Sequence, residues 1–567
     1  MKLTGAQILI ECLVEQSVDT VFGYPGGAVL NIYDELYKNS HRIHHYLTSH
    51  EQGAAHAADG YARATGKTGV CIATSGPGAT NLVTGIATAY LDSVPVVFIT
   101  GNVSVNLIGK DSFQEADITG ITAPITKNNY IVKDVADLAD TLREAFAIAK
   151  EGRPGPVLVD IPKNVTAETA DYEPASPAQL MQSYERTCKC AVSGGEEIQA
   201  LADMIKSANK VFLLCGGGVL KSGAAPEVLR LAEALQAPVG TTLMGVGGFP
   251  ASHPNFTGLV GMHGTKAANT GISNCELFIA LGSRFNDRVT GDAGKFCRNA
   301  QIVQIDIDEA EINKNVRTFH AVLGDVKTVL DTLLPLLELS EESRAARKEW
   351  LAEIQAMKQS RLRVAACDLG PKAILEAIYE RCPKDTFIVT DVGQHQLWAA
   401  KYYSYDEPGS FISSGGFGTM GYGAGAAIGA RIGRPDRRVI LITGDGSFRM
   451  NCNELATMEH YGVPIITVIM NNGVLGMVRQ WQTVFYGKRY SQTDLDRGPD
   501  FCKLAEAYGI HGACAHSLEE FELAFDQALT SGTAAVIDCR IGCDETVTPM
   551  VAPGKPITDF IIGEHHS

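Results

Sequence analysis

Short apolar runs rich in β-branched residues alternate with helical patterns along most of this chain, and that alternation admits few folds. A strand, a covering helix and a second parallel strand need a crossover, so a long series of such units predicts parallel sheets with helices on both faces. The runs fall into three blocks. In the first, Gly69–Ala73 and Val94–Thr100 read as strands, Thr80–Tyr90 as the helix between, and Val157–Asp160 as a late strand. The second holds Lys210–Leu214, Pro238–Thr241, Leu277–Leu281 and Ile302–Ile307; the third holds Thr386–Thr390, Arg438–Thr443 and Pro464–Met470. The fold class is α/β, with three doubly wound parallel-sheet domains at residues 1–165, 190–338 and 370–550. Residues 164–195, rich in Ala, Pro, Glu and Ser, read as a linker. Residues 338–370, charged and helical from Glu341 through Arg363, read as a solvated connector rather than a core. An echo links the outer blocks. Val70–Asn81 reads strand, Ser75-Gly76-Pro77-Gly78, helix; Val439–Glu454 reads strand, Gly444-Asp445-Gly446-Ser447, helix. A duplicated fold flanking a different middle block would produce it.

Composition narrows the function classes. A length of 567 residues excludes one small module, and 45% hydrophobic with 20% charged residues excludes global disorder. A net charge of −16 argues against nucleic acid or anionic membrane as a partner through the bulk field, and leaves small anionic ligands open. The 14 cysteines run from Cys12 to Cys543 without a C-x-x-C pair, which points away from zinc and toward a reduced, cytoplasmic chain. No apolar run approaches the roughly 20 residues that span a bilayer. The start, Met1-Lys2-Leu3-Thr4-Gly5, is expected to enter an amphipathic helix directly, with no signal or transit pattern.

The most specific motif is Gly444-Asp445-Gly446-Ser447, followed after Met470 by Asn471-Asn472. Arg438–Thr443 ends at the loop carrying Asp445, Asn453–Tyr461 is the expected crossover helix, and Pro464–Met470 ends at Asn472. A right-handed β-α-β unit sets the carboxyl ends of its strands side by side, so Asp445 and Asn472 meet at one sheet edge. Mg²⁺ takes hard oxygen ligands and substrate phosphates, and the glycines admit a diphosphate close to the backbone. Either piece alone is a plain turn; together, at this spacing, they describe a site.

In the first block, Ser49-His50-Glu51-Gln52 lies between a strand, Arg42–Leu47, and a helix, Gly53–Ala64. Ser49 and Gln52 have capping-box spacing, and Glu51 fits the first turn of a helix on electrostatic grounds alone. The spacing of Gly444-Asp445-Gly446 and Asn471-Asn472 resembles that of thiamine-diphosphate enzymes, and the resemblance implies a second use for Glu51, as the buried carboxylate that hydrogen-bonds the aminopyrimidine and promotes proton removal from the coenzyme.

The same resemblance to the thiamine-diphosphate motif implies Mg²⁺ held by Asp445, Asn472 and the backbone carbonyl of Val474, and Glu51 contributed across a subunit interface of a homodimer or tetramer. From about residue 3 to 552 the chain is similar to the large catalytic subunits of the acetohydroxyacid (acetolactate) synthase family. The likeness is carried by Gly23-Tyr24-Pro25-Gly26-Gly27, Ser112-Phe113-Gln114-Glu115-Ala116-Asp117, Gly152-Arg153-Pro154-Gly155-Pro156, Val392-Gly393-Gln394-His395, Gly416-Phe417-Gly418-Thr419-Met420-Gly421 and Gly476-Met477-Val478-Arg479-Gln480-Trp481. It implies cofactor contacts from Tyr24, Pro25, Gly26, Ser75, Pro77, Gly78, Asn81, Val392, Gly393, Gln394, His395, Gly418, Met420, Gly444, Gly446, Ser447, Gly476 and Met477. Gly27, Gln114 and Lys163 join Glu51 as catalytic candidates, and Phe113, Arg288 and Trp481 are expected to meet the 2-keto acid substrates. The activity implied is decarboxylation of pyruvate and ligation of its two-carbon unit to a second pyruvate or to 2-ketobutyrate, toward branched-chain amino acids. A separate small regulatory subunit is also implied.

The middle block carries Ser283-Arg284-Phe285-Asn286-Asp287-Arg288-Val289-Thr290-Gly291, similar to the RFDDRVTG segment of biosynthetic synthases with Asn286 in place of an Asp. Cys215-Gly216-Gly217-Gly218 follows a strand, but Lys221 stands where a dinucleotide fingerprint would have its third glycine, and Thr241-Thr242 end the next strand without a ribose-binding acid. The residues alone argue against ordinary NAD binding and leave FAD open. The resemblance implies FAD, with contacts from Gly217, Gly218, Thr241, Met262, His263, Arg284, Asp306 and Asp325. The rivals are a pyruvate oxidase, a decarboxylase, a catabolic acetolactate synthase and a non-catalytic paralogue.

Overall fold

The computed structural model describes residues 1–176, 178–180, 193–359, 369–495 and 497–561. Three six-stranded sheets organise the chain, and every neighbouring pair of strands within them is parallel. The first contains β1 (Thr20–Tyr24), β2 (His44–Leu47), β3 (Gly69–Ala73), β4 (Val96–Asn102), β5 (Asn128–Ile131) and β6 (Val157–Pro162). The second contains β7 (Val211–Cys215), β8 (Val239–Thr241), β9 (Phe256–Leu259), β10 (Leu277–Leu281), β11 (Gln301–Asp306) and β12 (His320–Leu323). The third contains β13 (Phe387–Thr390), β14 (Phe411–Ile412), β15 (Val439–Gly444), β16 (Ile465–Asn471), β17 (His511–Ala515) and β18 (Ala535–Arg540).

The first sheet runs β2-β1-β3-β4-β6-β5 and the third β14-β13-β15-β16-β18-β17, one topology used twice. The second runs β9-β8-β7-β10-β11-β12, the strand order of dinucleotide-binding folds. Its central strands are unbroken apolar runs, as a sheet covered on both faces requires: Val211–Cys215 and Leu277–Leu281 are wholly buried.

Five helices carry or position the residues of the site: α1 (Glu51–Thr65), α2 (Gly217–Lys221), α3 (Tyr422–Gly433), α4 (Asp445–Asn451) and α5 (Gly476–Phe485). Helices α1 and α3 carry the contact between the first and third sheets. Their facing residues are small, so the backbones nearly touch. A methyl group on Gly60 would fall on the Ala426 carbonyl, and one on Gly429 on the Ala57 carbonyl. A buried ionic knot seals one end. Arg63 donates to Asp59 (2.7 Å) and Asp92 (2.8 Å), Tyr422 donates to Asp59 (2.6 Å), and Asp92 accepts the Gly416 amide (2.6 Å).

Five expectations change. Lys2–Thr4 is a strand paired antiparallel with Thr169–Asp171, and the first helix begins only at Gly5, capped by Thr4 and Gln7. The sequence up to residue 176 is therefore partly structured by that pair rather than all linker; residues 177 and 181–192 lie outside the described residues. The helix Thr80–Tyr90 is two helices, Pro77–Asn81 and Val83–Asp92. The charged segment after 338 is not a solvated connector. Helix Glu341–Gln359 buries Arg347, Trp350, Leu351 and Ile354, one stripe at helical spacing, and Trp350 and Ile354 join the core around Phe212 and Phe278. Residues 360–368, where that helix was expected to end, lie outside the described residues. The crossover between β15 and β16 starts earlier than expected, as α4, then a 3₁₀ turn Cys452–Glu454 and helix Leu455–His460.

The α1–α3 contact yields a direct test. Gly429→Ala is expected to destabilise by about 1–3 kcal/mol through overpacking, whereas Gly195→Ala, where nothing lies within 4 Å, is expected to be neutral. Thermal unfolding of both variants decides it; equal midpoints would mean that the helices have slack.

Candidate active site and cofactor cleft

The loops at the carboxyl ends of β13, β15 and β16 converge. Gly444 at the end of β15 pairs with Met470 in β16, so Asp445 and Asn472 leave adjacent strands side by side. Asp445 opens α4, and the Asn472 backbone amide faces its carboxylate. Burial is the largest influence on this carboxyl and pushes it up to about 6; the Asp538 charge adds to the rise, and the Arg449 charge opposes it only weakly. A carboxylate held out of water with little compensating charge suits a cation. Asn472 Oδ1 accepts the Val474 amide (3.2 Å), and Gly473 between them has a φ of +69°, which a side chain would strain. The pairing of Val474 with Asp494 runs through the Gly473 carbonyl and the Leu475 amide, so it flanks Val474 without engaging it. These are the atoms a hexacoordinate cation could share with a diphosphate.

The surrounding residues are cross-braced. Gln394 donates to the Gln480 side chain (3.0 Å) and accepts from Asn472 (3.2 Å), while Ser447 donates to the Val392 carbonyl (3.2 Å). A methyl on Gly476 would collide with Gln394 Oε1, so α5 begins against that side chain. His395 is buried, its imidazole pushed down to about 3 by desolvation, and its Nε2 has no partner among the described residues. Gly418 has a φ of +72° and open space where a side chain would stand. Gly446 packs toward Leu475 and Met420. Open space at Gly418 beside Val392, a buried His395 Nε2 without a partner among the described residues and a carboxylate short of compensating charge leave this cluster incomplete on its own, and it fits a metal-bound diphosphate.

The first sheet's residues gather at its own carboxyl edge. Glu51 opens α1 and is buried; Asn81 Nδ2 donates to its Oε2 (2.9 Å), and Gly78 lies beside Oε1. The helix cap is not Ser49. His50 Nδ1 accepts the Gln52 amide (3.0 Å), while Ser49 donates to the Asn453 carbonyl (2.9 Å) and, through its amide, to Glu454 Oε2 (3.2 Å). Gly26 lies against Thr74, Ser75 is buried, Pro77 opens a short helix, and Gly76 lies against Gln114, itself at a φ of +59°. Gly27 has nothing within 4 Å, Pro25 and Lys163 are exposed, Tyr24 is 40% exposed and Phe113 88% exposed. No hydrogen bond among the described residues joins this set to the Asp445 set.

The middle set opens onto one cavity of about 1840 Å³, lined by Gly217, Gly218, Met262, His263, Arg284, Arg288, Asp306 and Asp325, and from the third sheet by Val392, Gly393, Gly418, Met477 and Trp481. Gly216, Gly218 and Gly282 bring the β7 and β10 loops into backbone contact, because a methyl on Gly216 or Gly218 would meet Gly282. His263 Nδ1 is buried without a partner among the described residues, and desolvation pushes its imidazole down to about 3; Thr241 Oγ1 is also unpartnered among them, but Thr241 is wholly buried and the neighbouring Thr242 lines the cavity in its place. Burial raises Asp306 to about 6. Asp325 caps the helix that follows β12, accepting from Thr328 (3.1 Å). Arg284 donates to the Leu91 carbonyl (2.8 Å), closing the cavity against the first sheet. Arg288 is paired with Asp287 (3.2 Å) and lies 5.8 Å from the Trp481 ring centre. Size, glycine approach and orphaned polar atoms fit a dinucleotide.

Sequence reasoning passed over three residues here. Asp391 accepts the Gly421 (2.8 Å) and Gly423 (3.2 Å) amides at the start of α3 and the Thr443 hydroxyl (3.0 Å). Glu454 receives Ser49 and Thr457. Gln480 also accepts the Val547 amide (2.9 Å), tying down the final segment, whose Val551 amide reaches the Met262 carbonyl (2.8 Å). An acid one residue after an apolar strand was the available signal for Asp391.

Three family models cover the chain in order: the thiamine pyrophosphate enzyme N-terminal TPP binding domain at residues 3–121, central domain at 198–333 and C-terminal TPP binding domain at 391–539. The chain is 46% identical over 99% of its length to the probable acetolactate synthase large subunit of Methanocaldococcus jannaschii, covering 95% of that protein. It is 45% identical to the acetolactate synthase large subunit of Cyanidium caldarium, with 97% and 95% covered, and 42% identical to that of Haemophilus influenzae, with 99% of each covered. The chain belongs to the acetolactate synthase large-subunit family. Its members span all three sheets, so the Asp445 cluster, the Glu51 cluster and the cavity belong to one enzyme rather than to fused modules. Among the described residues no group of three His, Cys, Asp or Glu side chains forms a metal cluster, and every cysteine is free. No described helix is long and apolar enough to cross a membrane.

A cation at Asp445 must displace the proton that burial favours. The carboxyl is ionised above about 6 and protonated below it. Mg²⁺ affinity, measured by calorimetry in the presence of thiamine diphosphate, is therefore expected to fall as pH drops from 7 to 5, and Asp445→Asn to flatten that dependence. A pH-independent affinity in the unsubstituted protein would remove Asp445 from the site.

Proposed function

We propose that this chain is the catalytic subunit of a biosynthetic acetolactate synthase. It decarboxylates pyruvate and joins the two-carbon unit to a second pyruvate, giving 2-acetolactate and carbon dioxide, or to 2-ketobutyrate, giving 2-aceto-2-hydroxybutyrate. Both products lead to branched-chain amino acids, valine and isoleucine among them. The observation that carries this reading is Asp445 beside Asn472 at adjacent strand ends, in a chain of this family. Asp445, Asn472 and the Val474 carbonyl would hold Mg²⁺ and, through it, the diphosphate of thiamine diphosphate. Bound thiamine diphosphate supplies a nucleophilic carbon and an electron sink for decarboxylation.

The protein's own contribution is placement and proton control. Asn81 fixes Glu51 Oε2 and leaves Oε1 to hold a proton shared with an aminopyrimidine. The separation of Glu51 from the Asp445 set, together with the exposure of Tyr24 and Phe113, supports a site completed by a second copy, as a dimer or tetramer. Gly27, Gln114 and Lys163 would lie on the substrate side of that joint site. Arg288 offers a guanidinium for the carboxylate of the accepting keto acid. Trp481, against Arg288 and Phe485, would meet the extra methyl group of 2-ketobutyrate. The cavity between the first, second and third sheets would take FAD, held by Gly217, Gly218, Thr241, Met262, His263, Arg284, Asp306 and Asp325. The large-subunit names of the relatives support a separate small regulatory subunit, and the reduced cysteines a cytoplasmic setting.

The deciding experiment offers pyruvate with 2-ketobutyrate and identifies products with each of thiamine diphosphate, Mg²⁺ and FAD omitted in turn. Acetohydroxyacids are expected; acetaldehyde, acetyl phosphate or no turnover would overturn the reading in favour of a decarboxylase, an oxidase or an inert paralogue. Trp481→Leu is expected to shift the product ratio toward acetolactate, read in the same competition. Glu51→Gln is expected to cut turnover by about 10²–10⁴-fold, the range for a general acid–base group, with the unfolding midpoint unchanged; near-normal turnover would take Glu51 out of the mechanism.

A further inference from the structure

Lys221 looks like a defect in a dinucleotide fingerprint, since a glycine there would let the helix pack against its strand. The structure gives it another use. It ends α2, which begins at Gly217, and residues three and four apart share a helix face. Gly217, Gly218 and Lys221 all line the large cavity, while Val219 between them is buried in the core behind. The glycine turn and one ammonium group therefore border the same space, and because the Gly218 amide is held by the Gly282 carbonyl (3.1 Å), the ammonium is the group left to meet an anion there.

Three arginines at this end of the cavity are engaged, while Lys150, which also lines it, has no side-chain hydrogen bond or ion pair among the described residues. Arg63 is bound by Asp59 and Asp92, Arg153 by Asp308 (3.3 Å) and Glu311 (2.7 Å), and Arg284 by the Leu91 carbonyl. Lys221 has no hydrogen bond or ion pair among the described residues. It keeps solvent access through the cavity, yet the protein crowds it closely enough that desolvation, aided by the Arg63 charge, pushes its ammonium down to about 8. A lysine in such a place is stabilised by an anion it does not find in its own chain.

We propose that Lys221 is a direct ligand for the phosphate groups of the dinucleotide that fills this cavity, adding a point charge beside the Gly217–Gly218 turn. Lysine binds phosphate in this way, as a compact ammonium with three donors. The proposal rests on the FAD reading above and deepens it. It also orients the ligand, with the phosphates toward Gly217 and Lys221.

The test measures binding to flavin-stripped protein by quenching of flavin fluorescence, with FAD and with riboflavin, which has no phosphate. Lys221→Met is expected to weaken FAD at least 10-fold, to reduce the salt dependence of its Kd and to leave riboflavin unchanged. Lys221→Arg is expected to bind FAD within a few-fold of the unsubstituted protein, and circular dichroism confirms that both variants fold. Unaltered FAD affinity in Lys221→Met, or equal losses for FAD and riboflavin, overturns the role of Lys221. If the unsubstituted protein binds neither flavin, the FAD reading itself fails. Should Lys221→Met not fold, Lys221→Gln carries the same comparison.

Discussion

The near-contact of α1 and α3 is the constraint on which both halves of the active-site machinery depend. The two helices carry six glycines: Gly53 and Gly60 in one, and Gly423, Gly425, Gly429 and Gly433 in the other. At about 1 kcal/mol each relative to alanine, these cost roughly 6 kcal/mol of helix propensity. Close backbone packing and the buried Arg63–Asp59–Asp92–Tyr422 knot offset that cost. Removing one member of such a knot leaves an uncompensated buried charge, so its parts act as a unit. Glu51 begins α1, and Asp391 holds the start of α3. The contact therefore fixes Glu51 of the first sheet relative to the loops around Asp391 and Asp445 of the third.

That rigidity has a geometric consequence. Glu454 follows α4, whose first residue is Asp445, and it receives the Ser49 amide two residues before Glu51. The turn bearing Glu51 is thus tied to the far end of the element bearing Asp445, not to Asp445 itself. The Glu51 and Asp445 clusters therefore lie at separate places in one chain, on the first and third sheets, which share one strand order; the proposed site shared between two copies builds on that separation. Two chains related by a twofold axis would bring unlike halves together twice. An isologous pairing of this kind places each half-site against its complement without any second interface.

What could be read from the sequence was local in the chain. Gly444-Asp445-Gly446 and Asn471-Asn472 flank one β-α-β unit, and the handedness rule alone puts them together; the strands around them were placed to within one or two residues. Glu51 was legible as a helix-opening acid, but its cap was assigned to Ser49, because a capping box is a pattern of neighbours and the true partners of Ser49 are some four hundred residues away. Helix Glu341–Gln359 misled for a similar reason. Its charge is visible at every turn, whereas the stripe of Arg347, Trp350, Leu351 and Ile354 matters only once Phe212 and Phe278 are there to receive it. Asp391, Glu454, Gln480 and the final segment over the second sheet are all products of long-range packing, which periodicity does not encode.

Lys221 marks the boundary between these two kinds of information. Its position in the glycine turn was readable, and as a motif it argued against ordinary NAD binding while leaving FAD open. Its meaning depends on the first sheet, because Arg63, Asp92 and Arg153 all reach the same end of the cavity from outside the β7–α2 unit. A fingerprint summarises how one strand and one helix meet a phosphate when nothing else is near. Here a second domain packs beside the turn, its Asp59 and Asp92 are taken up by its own Arg63, and its Arg153 takes up Asp308 and Glu311, so a side chain that would be neutral ballast on an open sheet becomes a cation without an answering anion. The same substitution carries opposite implications in the two settings, and only the packing of the first sheet against the second decides between them.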